Sequence, residues 1–244
     1  MTTVEVLGVP ICCDGLDTAV DTVDEWISER RQGYACLVNV HLVQTARRSR
    51  PLSEALRDAD LSLPDGAPVA WLAGHLRQRP VKRVTGSDLF EALCSRRRRR
   101  HFFLGSTQET LDCLTRAVAN LYPQAEICGA YSPPFGPFGE RECAEMVGRA
   151  NSAMADIVWV GLGAPKQELW LHANRSALTA PAVIGVGAVF DFASGTKPRA
   201  PVWMQSTGLE WAHRLLTEPR RLWRRYLFTN TSFALRAAGA VIRP

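Results

Sequence analysis

Residues Ile157–Glu168, IVWVGLGAPKQE, decide the fold. Ile157-Val158-Trp159-Val160 is an apolar run dominated by β-branched residues, the mark of a strand buried on both faces. Gly161-Leu162-Gly163 supplies a tight turn, and Pro165 ahead of Lys166-Gln167-Glu168 starts a helix. A buried strand passing directly into a helix is the unit from which parallel sheets are built. The same parts recur in FFLGSTQET (Phe102–Thr110) and in VIGVGAVFDFASG (Val183–Gly195).

Outward from these segments the pattern predicts strands at Val4–Ile11, Ala35–Val40, His101–Gly105, Glu126–Ala130, Asp156–Gly161 and Ala182–Val186. Amphipathic helices are predicted at Asp17–Arg31, Pro51–Asp60, Ala67–His75, Ser87–Arg98, Gln108–Leu121, Glu140–Ser152 and Gln167–Ser176. Thr107 and Ser87 are candidate N-caps, and Pro123 stops the helix before it. The expectation is an α/β fold, a mainly parallel sheet with helices on both faces. With 244 residues, 46% hydrophobic and 22% charged, disordered, collagen-like and disulfide-scaffold classes are excluded. Cys12, Cys13, Cys36, Cys94, Cys113, Cys128 and Cys143 form no CxxC pair and no zinc spacing, so they read as reduced core residues of a cytosolic protein. The N-terminus carries no basic segment ahead of a long apolar one, and no window reaches about 18 apolar residues, so neither export by that route nor a membrane span is expected.

Charge is uneven. The net charge is +5, yet residues 197–244 hold nine Lys/Arg against Glu210 and Glu218, leaving the first 196 residues slightly acidic. After Gly195–Pro201 the chain also turns aromatic, with Trp203, Trp211, Trp223, Tyr226 and Phe228. We therefore divide it into a core, 1–196, and a C-terminal helical appendage, 197–244. In Gly208–Phe228, GLEWAHRLLTEPRRLWRRYLF, apolar groups recur at helical spacing among Arg214, Arg220, Arg221, Arg224 and Arg225, and Pro219 splits the pattern into two helices. Such a stretch fits an anionic membrane surface, each arginine contributing about 1 kcal/mol. It fits equally a helix pair packed on the core. Positive charge confined to this tail argues against nucleic acid as a partner.

Parallel sheets bind ligands where strands end and helix N-termini offer N–H groups to anions. The turns holding Gly105 and Ser106, Gly163, and Gly187 all stand at such ends, although any tight βα turn needs glycine. None is a dinucleotide fingerprint or a Walker loop, which removes an NAD-dependent dehydrogenase. LSLPDGAPV (Leu61–Val69) puts Asp65 in a strand-to-helix turn, either as the helix cap or as a carboxylate positioned for general base work. Arg83, before the helix of RVTGSDLFEAL, is either a solvated residue or a phosphate clamp, and helix-dipole stabilisation accounts for Asp88. Asp58-Ala59-Asp60 follows a helical pattern instead of ending a strand and reads as a helix terminus, so no metal is expected. Arg96–Arg100 reads as a solvated cationic helix end. His41, Trp159 and Trp170 read as core or rim residues.

Taken together, several segments resemble the WecG/TagA/CpsF glycosyltransferase family. They are Leu63–Gly66, Arg83–Asp88, Val160–Glu168, Gly185–Phe192, Arg199–Pro201 and Gly208–Tyr226, spanning roughly residues 35–228. The resemblance implies a Rossmann-like core and inverting, metal-independent transfer without a cofactor. The sugar would pass from a UDP-sugar of the N-acetylmannosamine, N-acetylmannosaminuronate, glucose or glucuronate type to a polyprenyl-diphosphate-linked saccharide, in cell-surface polysaccharide synthesis. It implies Asp65 as the base. Asn39, Arg83, Gly105, Ser106, Gly163, Lys166, Gln167, Glu168, Gly187 and Asp191 would border the donor, and Arg214, Arg221 and Arg224 would hold the lipid diphosphate. The partners implied are the UDP-sugar, the lipid acceptor and an anionic membrane surface, with a homo-oligomer left open and the enzyme peripheral on the cytoplasmic face. Two departures stand out: Leu37-Val38-Asn39 replaces a frequent Thr-x-Asn, losing a hydroxyl, and Ser106 stands where a second glycine is frequent. The rival expectation is a non-catalytic protein that binds a nucleotide sugar or a lipid head group.

Overall fold

The computed structural model describes residues 1–242; of residues 206, 221, 222, 224–228 and 242 only the backbone is described. A hairpin, β1 (Thr3–Val6) and β2 (Val9–Cys12), precedes α1 (Gly15–Ser28). Next come β3 (Gly33–Val38), α2 (Val40–Ala46), α3 (Arg50–Arg57), β4 (Leu61–Pro64), α4 (Ala67–Arg77) and α5 (Gly86–Arg96). The second half runs β5 (Arg99–Gly105), α6 (Gln108–Leu121), β6 (Ala125–Tyr131), α7 (Glu140–Ser152), β7 (Ile157–Gly161), α8 (Lys166–Asn174), β8 (Ala182–Gly185) and α9 (Val189–Ala193). Three helices close the chain: α10 (Val202–Ser206), α11 (Glu210–Thr217) and α12 (Pro219–Ile242).

Strands β3 to β8 form one sheet in the order β4-β3-β8-β7-β5-β6, and every pairing is parallel. The period-2 alternation of strand side chains divides the core into two layers. Cys36, Val38, Leu104, Val158 and Val160 face α2, α3, α4, α7 and α8, whereas Ala35, Leu37, Phe103, Trp159 and Ile184 face α1, α5, α6 and α9. The Rossmann-like α/β expectation holds. From β3 the chain moves outward to β4, and from β5 it moves outward the other way to β6, so the switch point opens at the carboxyl ends of the central strands.

Three local expectations need correction. Val4–Ile11 is a separate antiparallel hairpin, not one strand, because Leu7 and Gly8 turn the chain with φ of 51° and 93°. Helix α2 was not foreseen; Asn39 caps it, its side chain accepting from the Leu42 N–H at 3.2 Å. Thr85, not Ser87, caps α5, accepting from the Asp88 N–H at 3.1 Å. Thr107 caps α6 as expected, and Pro219 starts a new helix. The arginine run is exposed at Arg96–Arg98, as expected of a solvated end, and is also paired: Arg96, Arg97 and Arg99 converge on Asp24, and Arg98 and Arg100 reach Glu126. Trp159 is fully enclosed and its Nε1–H donates to His101 Nδ1 at 2.9 Å.

The appendage shares the core of the body. Phe233 and Ala237 of α12 are buried, and α12 packs on α2 and touches α4. Arg221 and Arg224 lie on this helix, but their side chains fall outside the described residues. Among the described residues no helix is long and apolar enough to cross a membrane.

Candidate active site

The turn after β4 is organised by backbone. The Asp65 N–H donates to the Val38 carbonyl at 2.9 Å, carrying the β3–β4 ladder one residue past the strand. Gly66 then serves as N-cap of α4 with φ of 121°, a conformation open to glycine, and no side chain caps the helix. The capping reading of Asp65 is thereby removed. Its carboxylate is left over for another task.

Asn39, at the end of the neighbouring strand, interacts with that carboxylate. Because its Oδ1 accepts from Leu42, its amide NH2 is the group available to Asp65. The Val84 N–H donates to the Pro64 carbonyl at 3.0 Å, which seats Arg83 beside the same turn. Burial pushes the Asp65 carboxyl up and the Glu210 carboxylate adds to it, while Arg214, Arg83 and Asn39 pull it back; the result is about 6. A carboxylate titrating there can accept a proton near neutral pH and return it readily.

Helices α10 and α11 cover this corner through ionic contacts. Arg83 Nη1 lies 3.3 Å from Glu210 Oε2, and its Nη2 donates to the Gln205 carbonyl at 2.6 Å. Arg199 Nη2 reaches Asp88 Oδ1 at 2.9 Å and Thr85 Oγ1 at 3.3 Å, and its Nε stands 3.8 Å from Glu210 Oε1. Lys197 Nζ bridges Asp191, at 2.6 Å, and Glu218, at 3.2 Å. The Arg214 guanidinium stands 5.7 Å from the Phe192 ring. Of the residues expected from sequence, Asn39, Asp65, Arg83 and Arg214 converge here, and Asp191 sits at the same edge through Lys197.

The remaining expected residues have other surroundings. Gly187 N–H donates to Gln167 Oε1 at 3.1 Å, and Gln167 Nε2 donates to Glu168 Oε1 at 2.8 Å, tying the β7 and β8 turns together. Both side chains are buried, Glu168 completely, so they brace these turns from beneath instead of presenting polar groups at the surface. Lys166 Nζ donates to the Gly136 carbonyl at 2.6 Å and sits over the Phe138 ring, turned toward the loop before α7. Gly163 is exposed with φ of 80°. A Cβ on Gly105 would stand 2.6 Å from the Gly161 carbonyl carbon, so close approach to β7 accounts for this glycine. Ser106 adopts φ of 62°, its N–H donating to the Gly161 carbonyl at 3.2 Å and its own carbonyl accepting from Ser132. Asp60 of the DxD accepts from the Tyr34 N–H at 3.0 Å, at the amino end of β4, opposite Asp65.

Glu210, Arg199 and Asp88 were not assigned a site role from sequence. The available signal was Glu210 itself, one of two acids among the nine cations of residues 197–244. Among the described residues no group of three His, Cys, Asp or Glu side chains is arranged to hold a metal ion.

A parallel sheet whose switch point carries a carboxylate that caps no helix, an amide and arginines has the Rossmann-like layout in which ligands bind at the strand ends. The chain belongs to the WecG/TagA/CpsF family of glycosyl transferases, whose sequence model it matches over residues 4–244. It is similar to the N-acetylglucosaminyldiphosphoundecaprenol N-acetyl-beta-D-mannosaminyltransferase of Bacillus subtilis strain 168, with 30% identity over 232 residues, 93% of this chain and 88% of that one. The protein of the same name from Bacillus spizizenii strain W23 is also 30% identical, over 83% of this chain and 77% of its own.

Proposed function

We propose that this glycosyltransferase moves a sugar from a UDP-sugar to a saccharide carried on a polyprenyl diphosphate, with inversion and without a metal. The observation that carries the reading is Asp65: a carboxylate that its own helix does not use, at the strand ends, titrating near 6 beside Arg83 and Arg214. The acceptor hydroxyl oxygen attacks the anomeric carbon from the face opposite UDP, its proton passes to Asp65, and the bond to the UDP oxygen breaks with the electron pair leaving on the diphosphate. N–H groups of the glycine turns at Gly105 and Gly163 offset the charge that develops. Arg214, Arg221 and Arg224, together with Arg83, hold the acceptor diphosphate.

The names of the relatives make N-acetylmannosamine the first donor sugar to test and an N-acetylglucosaminyl diphospholipid the first acceptor. Exposed Trp203, Trp211, Leu216 and Trp223, set among arginines, suit a peripheral position on the anionic cytoplasmic face of the membrane. The test is incubation with UDP-N-acetylmannosamine, its uronate, UDP-glucose and UDP-glucuronate and a short-chain diphospholipid N-acetylglucosamine, with products read by mass. Transfer with inverted anomeric configuration supports the reading. Donor binding without turnover on any acceptor would leave the non-catalytic alternative.

A further inference from the structure

Next to the Asp65 corner lies a mostly apolar cavity of about 1020 Å³. Helix α4 contributes Ala67 and Trp71, the following loop Val81 and Arg83, and the far end of α12 Ala240 and Val241. Trp71 is 58% exposed, a large aromatic surface stacked on the His75 ring along the open side of α4. Such surface beside a polar site marks a binding groove.

We infer that this cavity holds the first isoprene units of the acceptor's lipid chain, an assignment that rests on the transferase reading above. Arg83 fixes the occupant. It lines the cavity and also stands at the Asp65–Glu210 corner, so the order across the surface is carboxylate, guanidinium, apolar groove. A prenyl-diphosphate sugar has the same order: hydroxyl, diphosphate, hydrocarbon. With the sugar hydroxyl at Asp65 and the diphosphate on Arg83, the adjoining hydrocarbon enters between α4 and α12. The groove thus converts lipid chemistry into acceptor specificity, since each buried methylene is worth about fourfold in affinity.

The test uses two soluble acceptors with the same N-acetylglucosaminyl diphosphate, one esterified to methyl and one to farnesyl, assayed with the full chain and no detergent. The expected KM for the farnesyl acceptor is at least about tenfold lower than for the methyl one. Ala240→Trp, which fills the groove, and Trp71→Ala, which removes one wall from an exposed position, are each expected to raise KM for the farnesyl acceptor about tenfold, leaving kcat and the methyl acceptor unchanged. If Ala240→Trp does not fold, Trp71→Ala decides. Equal KM values for the two acceptors, or variants that shift both alike, overturn the groove assignment while the transferase reading stands. Wild-type protein that turns over neither acceptor overturns the transferase reading itself. Farnesyl diphosphate binding by calorimetry, weakened by Trp71→Ala where inorganic diphosphate binding is not, then tests the groove without turnover; equal weakening of both overturns it.

Discussion

Arg83 and Glu210 meet across 127 positions of sequence, Nη1 to Oε2 at 3.3 Å, and join the loop before α5 to the first turn of α11. Both are partly buried, so the contact is less screened by water than a surface pair. Its consequence is felt at Asp65, where the carboxylate of Glu210 raises the proton affinity and the guanidinium of Arg83 lowers it. Helix α11 therefore adds to the effect of burial on the protonation of the candidate base.

Replacing Asp65 by Asn removes the proton acceptor and keeps the shape. Transfer is expected to fall about a hundred- to ten-thousandfold with donor binding retained, measured as kcat alongside calorimetric binding of the UDP-sugar. Undiminished kcat removes Asp65 as base.

The same substitution carries a stability prediction of opposite sense. The folded pKa of about 6 exceeds the ordinary carboxylate value, so between roughly pH 4 and 6 the folded state holds more proton than the unfolded, and wild-type stability falls as pH rises through that window. Asp65→Asn escapes this loss. It is expected to be more stable than wild type at pH 8, by on the order of 1–3 kcal/mol, with the two converging below about pH 4 in denaturant titrations.

Glu210→Gln takes away the negative neighbour. The acid limb of the kcat/KM profile, expected near pH 6 in wild type, should move to lower pH, because ionising Asp65 no longer opposes a second carboxylate. An unmoved limb would falsify the coupling between these two residues.

Phe233→Ala tests the attachment of the appendage. Phe233 is 4% exposed and packs in the core layer that holds α2, so its truncation is expected to cost about 3–5 kcal/mol in chemical denaturation. A loss under about 1 kcal/mol means that α12 does not rest on α2 in solution.

Gly105→Ala places a methyl group 2.6 Å from the Gly161 carbonyl carbon at φ of 114°. A loss of about 2–4 kcal/mol is expected, or insoluble protein, and wild-type melting behaviour contradicts the close strand approach. Removal of divalent cations with EDTA is expected to leave transfer unchanged; lost activity restored by magnesium or manganese refutes metal independence.

Much of this was legible in the chain itself. The α6 and α7 boundaries coincide with their hydrophobic periodicity, Gln108–Leu121 and Glu140–Ser152, because a helix face repeats within a few residues. The glycine turns after β5, β7 and β8 were visible for the same local reason. The β1–β2 hairpin was not, since positive φ at Leu7 leaves no mark on an apolar pattern. The resemblance implies a donor-side place for Lys166, and its direction is decided by Phe138 and Gly136, on a loop that the turn before α8 does not specify.

Sequence by itself determined the alternation of strands and helices, the parallel sheet, and the placement of Asp65 at a strand end, since each follows from side-chain period and turn chemistry within about a dozen residues. The tertiary structure alone decided that Gly66 starts α4 without a side-chain cap so that Asp65 stays available, that Glu210, held by Arg83 and Arg199, comes to stand beside it, and that α4 and α12 leave a groove between them. Those outcomes depend on which strands become neighbours and on where a distant helix comes to rest. Burial, charge and proximity at that corner are properties of the assembled surfaces, summed over residues that no local pattern brings together.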